Sequence, residues 1–140
     1  ERQEINAADG ATGAPGDITI YKDGAIFKAI EVTERPIDGS RVDSTFSTKI
    51  TLNNAAEYLF VYTNDLPREN ALERAKAYFA QGYNINFASI TDLTIHILLS
   101  GDEAFRTAYN ERMFELFNAQ DVQATIKVAW NDALTEAMQA

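Results

Sequence analysis

Two strand-forming runs separated by Asp23-Gly24 constrain this chain more than any other feature of its sequence. Ile18 to Tyr21 and Ala25 to Thr33 are rich in Ile, Phe, Val, Tyr and Thr, and Asp-Gly between such runs signals a tight hairpin. A hairpin returns the chain antiparallel, so Asp17, which opens the first run, lies beside Glu31, near the end of the second. By strand alternation Ile18 and Ile20 share one face, with Asp17, Thr19 and Tyr21 on the other. Glu31, Thr33 and Arg35 share a face of the second strand, and Lys28 points the opposite way. Two carboxylates converging at a strand end form a hard-oxygen site suited to Mg²⁺.

Downstream, Arg35-Pro36-Ile37-Asp38-Gly39-Ser40 ends the second strand, because proline cannot continue a central ladder. Asp38 or Ser40 then offers the N-cap of a helix over about Arg41 to Ala55. Glu57 to Thr63 is a near-continuous apolar run, read as a strand buried on both faces as parallel strands are. After a turn at Asn64 to Pro67, Leu72, Ala75, Tyr78 and Phe79 fall at helical spacing up to Gln81-Gly82, a natural stop. Tyr83 to Ile90 alternates as another strand, and Thr91 or Asp92 caps a short apolar helix, Leu93 to Leu99. Helices over Asp102 to Phe117 and Asp121 to about Met138 follow, joined through Asn118-Ala119-Gln120 as a hairpin. Glu1 to Ala8 reads as the end of a helix. The glycines of residues 9–16 make a loop and not a phosphate cradle, since no Lys-Ser/Thr follows.

The strand–helix–strand order predicts an α/β fold: a mixed sheet flanked by helices, with a C-terminal helical hairpin. At 140 residues the chain is expected to be one domain. Its parts are a helix end and linker over 1–16, an α/β core over 17–100 and a helical extension over 101–140. It begins at Glu1, not Met, and is expected to be a piece of a longer protein. Cysteine is absent, which excludes disulfides, thiol catalysis and zinc-thiolate sites and suits a cytoplasmic protein. No apolar run approaches the roughly 18 residues of a membrane span.

A net charge of −9 argues against tight nucleic-acid binding through phosphates by this chain alone. The charge is uneven, however. Residues 1–50 carry Arg2, Lys22, Lys28, Arg35, Arg41 and Lys49, whereas from Asp92 onward only Arg106, Arg112 and Lys127 are basic. Any DNA would face the N-terminal half.

Pro15-Gly16-Asp17, a strand, and then Glu31-Val32-Thr33 resemble the Asp and Glu-x-Lys positions of the PD-(D/E)xK nuclease superfamily. Gly16-Asp17-Ile18 and Ala29-Ile30-Glu31-Val32-Thr33-Glu34 are most similar to the SacI-type type II restriction endonucleases within it. The resemblance implies a restriction-endonuclease-like fold and Mg²⁺-dependent hydrolysis of double-stranded DNA, leaving a 5′-phosphate. Asp17, Glu31 and the Val32 carbonyl would hold the metal. The resemblance further implies a homodimer that cuts both strands, with a DNA-recognition region upstream of this chain. The departure is Thr33, where the family usually carries lysine. A threonine hydroxyl orients a water but cannot neutralise charge, so Thr33 would position water while a cation comes from elsewhere. Lys49, in the helix after the strand, is the first candidate, with Arg35 and Arg41 as alternatives.

Blander readings stand beside these. A catalytically inactive scaffold or interaction domain would explain Thr33 and the acidic balance. Against it, a carboxylate such as Glu31 on an apolar strand face costs several kcal/mol if nothing compensates it. A nucleotide-binding domain would want a glycine-rich turn from strand to helix, which is missing. The lone His96 among apolar residues is more often a core or edge residue than a base. Glu4 and Glu34 read as solvated groups first and peripheral acids second. Asn53-Asn54 and Asn84 are thin candidates for reading bases.

Overall fold

A computed structural model describes residues 14–119 and 122–139. The expected helix end at Glu1 to Ala8 lies outside them, as does Glu4. The chain divides into two compact units, Glu1–Ile95 and His96–Ala140.

Among the described residues the first unit is built on four strands: β1 (Ile18–Lys22), β2 (Ala25–Thr33), β3 (Glu57–Tyr62) and β4 (Asn84–Ser89). They lie in the order β1-β2-β3-β4, with β1 antiparallel to β2 and the other neighbours parallel. This is the mixed sheet that the sequence predicts. Asp23 and Gly24 form the two-residue loop of the hairpin with φ of 52° and 79°. Positive φ at both positions is what a type I′ turn requires, and it matches the right-handed twist of the flanking strands. One irregularity lies between Ile20 and Tyr21, where the pairing with β2 skips Phe27.

Asp38 caps the helical run that follows β2, its Oδ1 accepting the Arg41 N–H. The run is continuous but not uniform: α1 (Gly39–Thr45), a π-helical turn (Phe46–Ile50), then α2 (Thr51–Asn53). The sequence predicts a helix here and gives no sign of the wider turn. Its physical companion is the Ser/Thr content of the segment. Hydroxyls of Ser47, Thr48 and Thr51 donate to carbonyls of Asp43, Ser44, Phe46 and Ser47. Such back-bonding competes with the regular ladder and distorts helices. Asn54, at φ 51°, closes the run.

After β3 comes α3 (Glu69–Phe79). It ends through Gly82 at φ 94°, where the Gly82 and Tyr83 N–H groups donate to the carbonyls of Phe79 and Tyr78. Then α4 (Ile90–Ser100) follows β4 without a break. It starts three residues earlier than the sequence reading places it, because the cap is Ser89, whose Oγ accepts the Asp92 N–H. Ser89 and Asp92 have the spacing of a capping box.

Apolar residues from both layers meet in one core: Ala29 of β2, Tyr58 and Phe60 of β3, Ile85 of β4, Val42 of α1, Ile50, and Ala71 and Ala75 of α3. Each large side chain among them contributes about 1.5–3 kcal/mol by leaving water. On β2 the face turned to this core carries Ala29, Glu31 and Thr33. An acidic side chain therefore points into an apolar layer.

In the second unit, α5 (Glu103–Asn118) is capped by Asp102, which accepts the Phe105 N–H. α6 (Ala124–Gln139) packs on it through Trp130, which stacks on Phe117 and meets Phe114 edge-on. The predicted helical hairpin is present.

Candidate active site

Pro15 and Gly16 are buried and bring the chain against β2 before β1 begins. A Cβ on Gly16 would stand 2.6 Å from the Ile30 carbonyl oxygen, closer than any side chain tolerates. Glycine is therefore needed to seat the next residue. Asp17 follows, exposed, with its Oδ2 accepting the Val32 N–H at 2.7 Å. The terminal ladder pair, Ile18 with Ile30, extended by one step sets Asp17 opposite Glu31. In a strand the N–H and C=O of one residue point the same way, so the Val32 carbonyl is directed to the side where Asp17 stands.

Glu31 is only 4 % exposed. Its Oε1 accepts from Arg41 Nη2 at 2.6 Å. Its Oε2 accepts from Lys49 Nζ at 3.0 Å and from the Tyr58 hydroxyl at 2.7 Å. Burial pushes the Glu31 carboxyl up, but the hydrogen bonds from Tyr58, Arg41 and Lys49 outweigh it and hold the group below its ordinary range. Glu31 is thus an ionised carboxylate compensated by the protein itself. That compensation removes the argument that the burial of Glu31 raises against an inactive scaffold.

The π-helical turn decides how Lys49 arrives. At about 100° per residue, eight residues of ideal α-helix would leave Arg41 and Lys49 about 80° apart. The extra residue of the wider turn takes back most of that offset, and both cations reach one carboxylate.

Thr33 is buried at the end of β2, its Oγ1 accepting the Arg35 N–H at 3.1 Å. A cleft of about 550 Å³ opens over these groups, lined by Asp17, Glu31, Val32, Thr33, Glu34, Arg35 and Arg41. Of the residues the sequence singles out, Asp17, Glu31, Val32 and Thr33 share this cleft. Lys49 touches Glu31 but is not among the cleft residues. Tyr58 escaped the sequence reading, which treats it as core. The available signal was its hydroxyl, which needs a partner once buried.

Other candidates go elsewhere. The Asn53 amide donates to the Lys49 carbonyl, Asn54 closes the helical run, and Asn84 accepts from Asn86. His96 belongs to the second unit. Among the described residues no cluster of three or more acidic or histidine side chains is gathered for a metal. The cleft offers two carboxylates and a main-chain carbonyl.

A four-stranded mixed sheet flanked by helices is consistent with the restriction-endonuclease-like fold. Residues 1–64 match the family model of the SacI restriction endonuclease C-terminal domain. The matched stretch is 64 of 140 residues, and it contains Asp17, Glu31, Thr33, Arg41, Lys49 and Tyr58. The match supports a relationship to restriction endonucleases, and with it a nuclease role and DNA as partner. No curated protein matches the chain. Among the described residues no helix is long and apolar enough to cross a membrane.

Proposed function

We propose that this chain carries the hydrolytic site of a Mg²⁺-dependent type II restriction endonuclease of the PD-(D/E)xK superfamily, of SacI type. One observation carries the reading: Asp17, Glu31 and Val32 border a single cleft together with basic side chains. Their hard-oxygen donors fit a divalent cation, and Glu31 is already ionised. Asp17, Glu31 and the Val32 carbonyl would hold it. Bound there, Mg²⁺ supplies a lowered pKa for a coordinated water and charge stabilisation on the scissile phosphate.

The chain's own residues do the rest. The Val32 N–H fixes the Asp17 carboxylate. The Thr33 oxygen is taken by Arg35, which leaves its hydroxyl proton to orient a water. Basic groups balance the charge that builds on phosphorus. Water oxygen bonds to phosphorus as the P–O3′ bond breaks, leaving a 3′-hydroxyl and a 5′-phosphate. Cutting both strands of a duplex calls for two copies of such a site, hence a homodimer, and its place of action is the cytoplasm.

The test is cleavage of mixed-sequence double-stranded DNA with Mg²⁺, beside calorimetry of metal binding. Asp17→Asn and Glu31→Gln are expected to abolish cleavage and weaken the metal. Equal metal affinity in the wild type and both variants would rule this site out.

A second reading, an inactive nuclease-fold scaffold or interaction domain, draws on the compensation of Glu31 by Arg41, Lys49 and Tyr58 without any metal. It predicts a folded wild type that neither takes up Mg²⁺ nor cuts.

A further inference from the structure

Among the described residues three cations stand near the cleft, and they are not equivalent. Arg41 borders the cleft and is 22 % exposed along its side chain. Among the described residues only its Nη2 is engaged, on Glu31 Oε1, while Nε and Nη1 make no hydrogen bond. A guanidinium presents its N–H groups as a rigid fork matched to carboxylate and phosphate oxygens. One edge of this fork is thus anchored on Glu31 while further donors remain for a ligand. Lys49 is 17 % exposed, donates to Glu31 Oε2 and lies outside the cleft lining. It shares that oxygen with Tyr58, whose strand runs through the core. Arg35 borders the cleft too, but its ties to the site run through its backbone N–H.

We infer that Arg41, not Lys49, is the catalytic cation that touches the substrate phosphate, while Lys49 with Tyr58 is a positioning residue that fixes Glu31 from the buried side. This inference rests on the nuclease reading above. It gives the missing strand lysine two replacements on one helical run: a contact to the ligand from α1 and a contact to the acid from the π-helical turn. Arg41 is pre-placed by the Asp38 cap, which holds its backbone N–H, and by Glu31, which holds its side chain. Pre-placement of that kind lowers the ordering cost of gripping a phosphate.

The experiment begins with the wild type on mixed-sequence double-stranded DNA and Mg²⁺. No cleavage there sinks the nuclease reading and this inference with it. With cleavage established, affinity for the same DNA is measured across salt concentrations, with Ca²⁺ replacing Mg²⁺ under conditions that leave the DNA intact. Each phosphate contact contributes about 0.9 to the slope of log affinity against log salt. Arg41→Ala is expected to reduce that slope by about one and to slow single-turnover cleavage by about 10²–10³-fold. Lys49→Met is expected to slow cleavage while leaving the slope at its wild-type value. Arg41→Gln, which keeps an N–H donor toward Glu31, carries the same test should Arg41→Ala fail to fold. Arg41→Lys is expected to restore the slope and part of the rate. A slope unchanged by both Arg41→Ala and Arg41→Gln, or lost in Lys49→Met instead, would overturn the assignment and leave the nuclease reading standing.

Discussion

Asp43 and Glu31 are each held by a tyrosine hydroxyl and an arginine, and α1 supplies a partner to both clusters. Asp43, on α1, accepts Nε and Nη2 of Arg74 on Oδ2 and the Tyr78 hydroxyl on Oδ1, both partners standing one turn apart on α3. Tyr78 also stacks on Phe46, with ring centroids 3.7 Å apart. In each cluster burial pushes the carboxyl up, and hydrogen bonds, from tyrosine first, bring it below its ordinary range. The settings differ. The Arg74 side chain is 55 % exposed, and the Asp43 cluster ties α1 to α3. Glu31 is enclosed, its donors come from α1, the π-helical turn and β3, and one of them borders a cleft. The same donor chemistry makes a latch when all its partners face one another. It makes a site when one partner keeps donors open to a cavity.

The widest gap between the two clusters is expected on deleting the acid. Glu31→Ala strands two cationic groups around a buried position, and breaking a buried pair costs about 3–5 kcal/mol. Asp43→Ala gives up a partly exposed latch and is expected to cost about 1 kcal/mol. Chemical denaturation of both variants measures the difference, and equal losses would erase the distinction.

The tyrosines sharpen it. Tyr58→Phe removes a hydrogen bond to an enclosed carboxylate and is expected to cost about 1.5–3 kcal/mol. Tyr78→Phe removes a part-buried one, keeps its stacking on Phe46, and is expected to cost about 1 kcal/mol. Reversed magnitudes would put the tighter network at Asp43.

Acid titration separates the clusters more finely. Both carboxyls are lowered on folding, so the stability they contribute is present above their unfolded values, about 4, and is lost as the pH falls below that. Wild-type stability is therefore expected to drop through this range. Glu31→Gln should flatten the drop more than Asp43→Asn does, as stability measured at successive pH values would show. A steeper drop in either variant would contradict the assigned direction.

Much of this architecture was legible because it is local. Asp23-Gly24 implied the hairpin by φ alone, and Pro36 and Asp38 marked the end of a strand and the start of a helix. The register at the acidic pair was not legible: a regular ladder from the two-residue loop sets Asp17 opposite Ile30, and the bulge that skips Phe27 moves it opposite Glu31. Ser89 does not stand out as a cap because Thr91 and Asp92 compete for that role in the sequence. Tyr58 was hidden inside an apolar run, where nothing distinguishes a buried phenol that packs from one that also donates.

By itself, then, the sequence determined the strands, their turn and the helix limits to within a few residues. Each of these depends on backbone preferences or on neighbours within a short stretch. Tertiary structure decided what surrounds Glu31. Arg41, Lys49 and Tyr58 lie 10, 18 and 27 residues beyond it, and their convergence depends on β3 lying beside β2 and on the angle taken back by a π-helical turn. A burial pattern with a 3.6-residue period cannot register one extra residue in a turn. The face that Lys49 presents is therefore set only when the helix packs on the sheet.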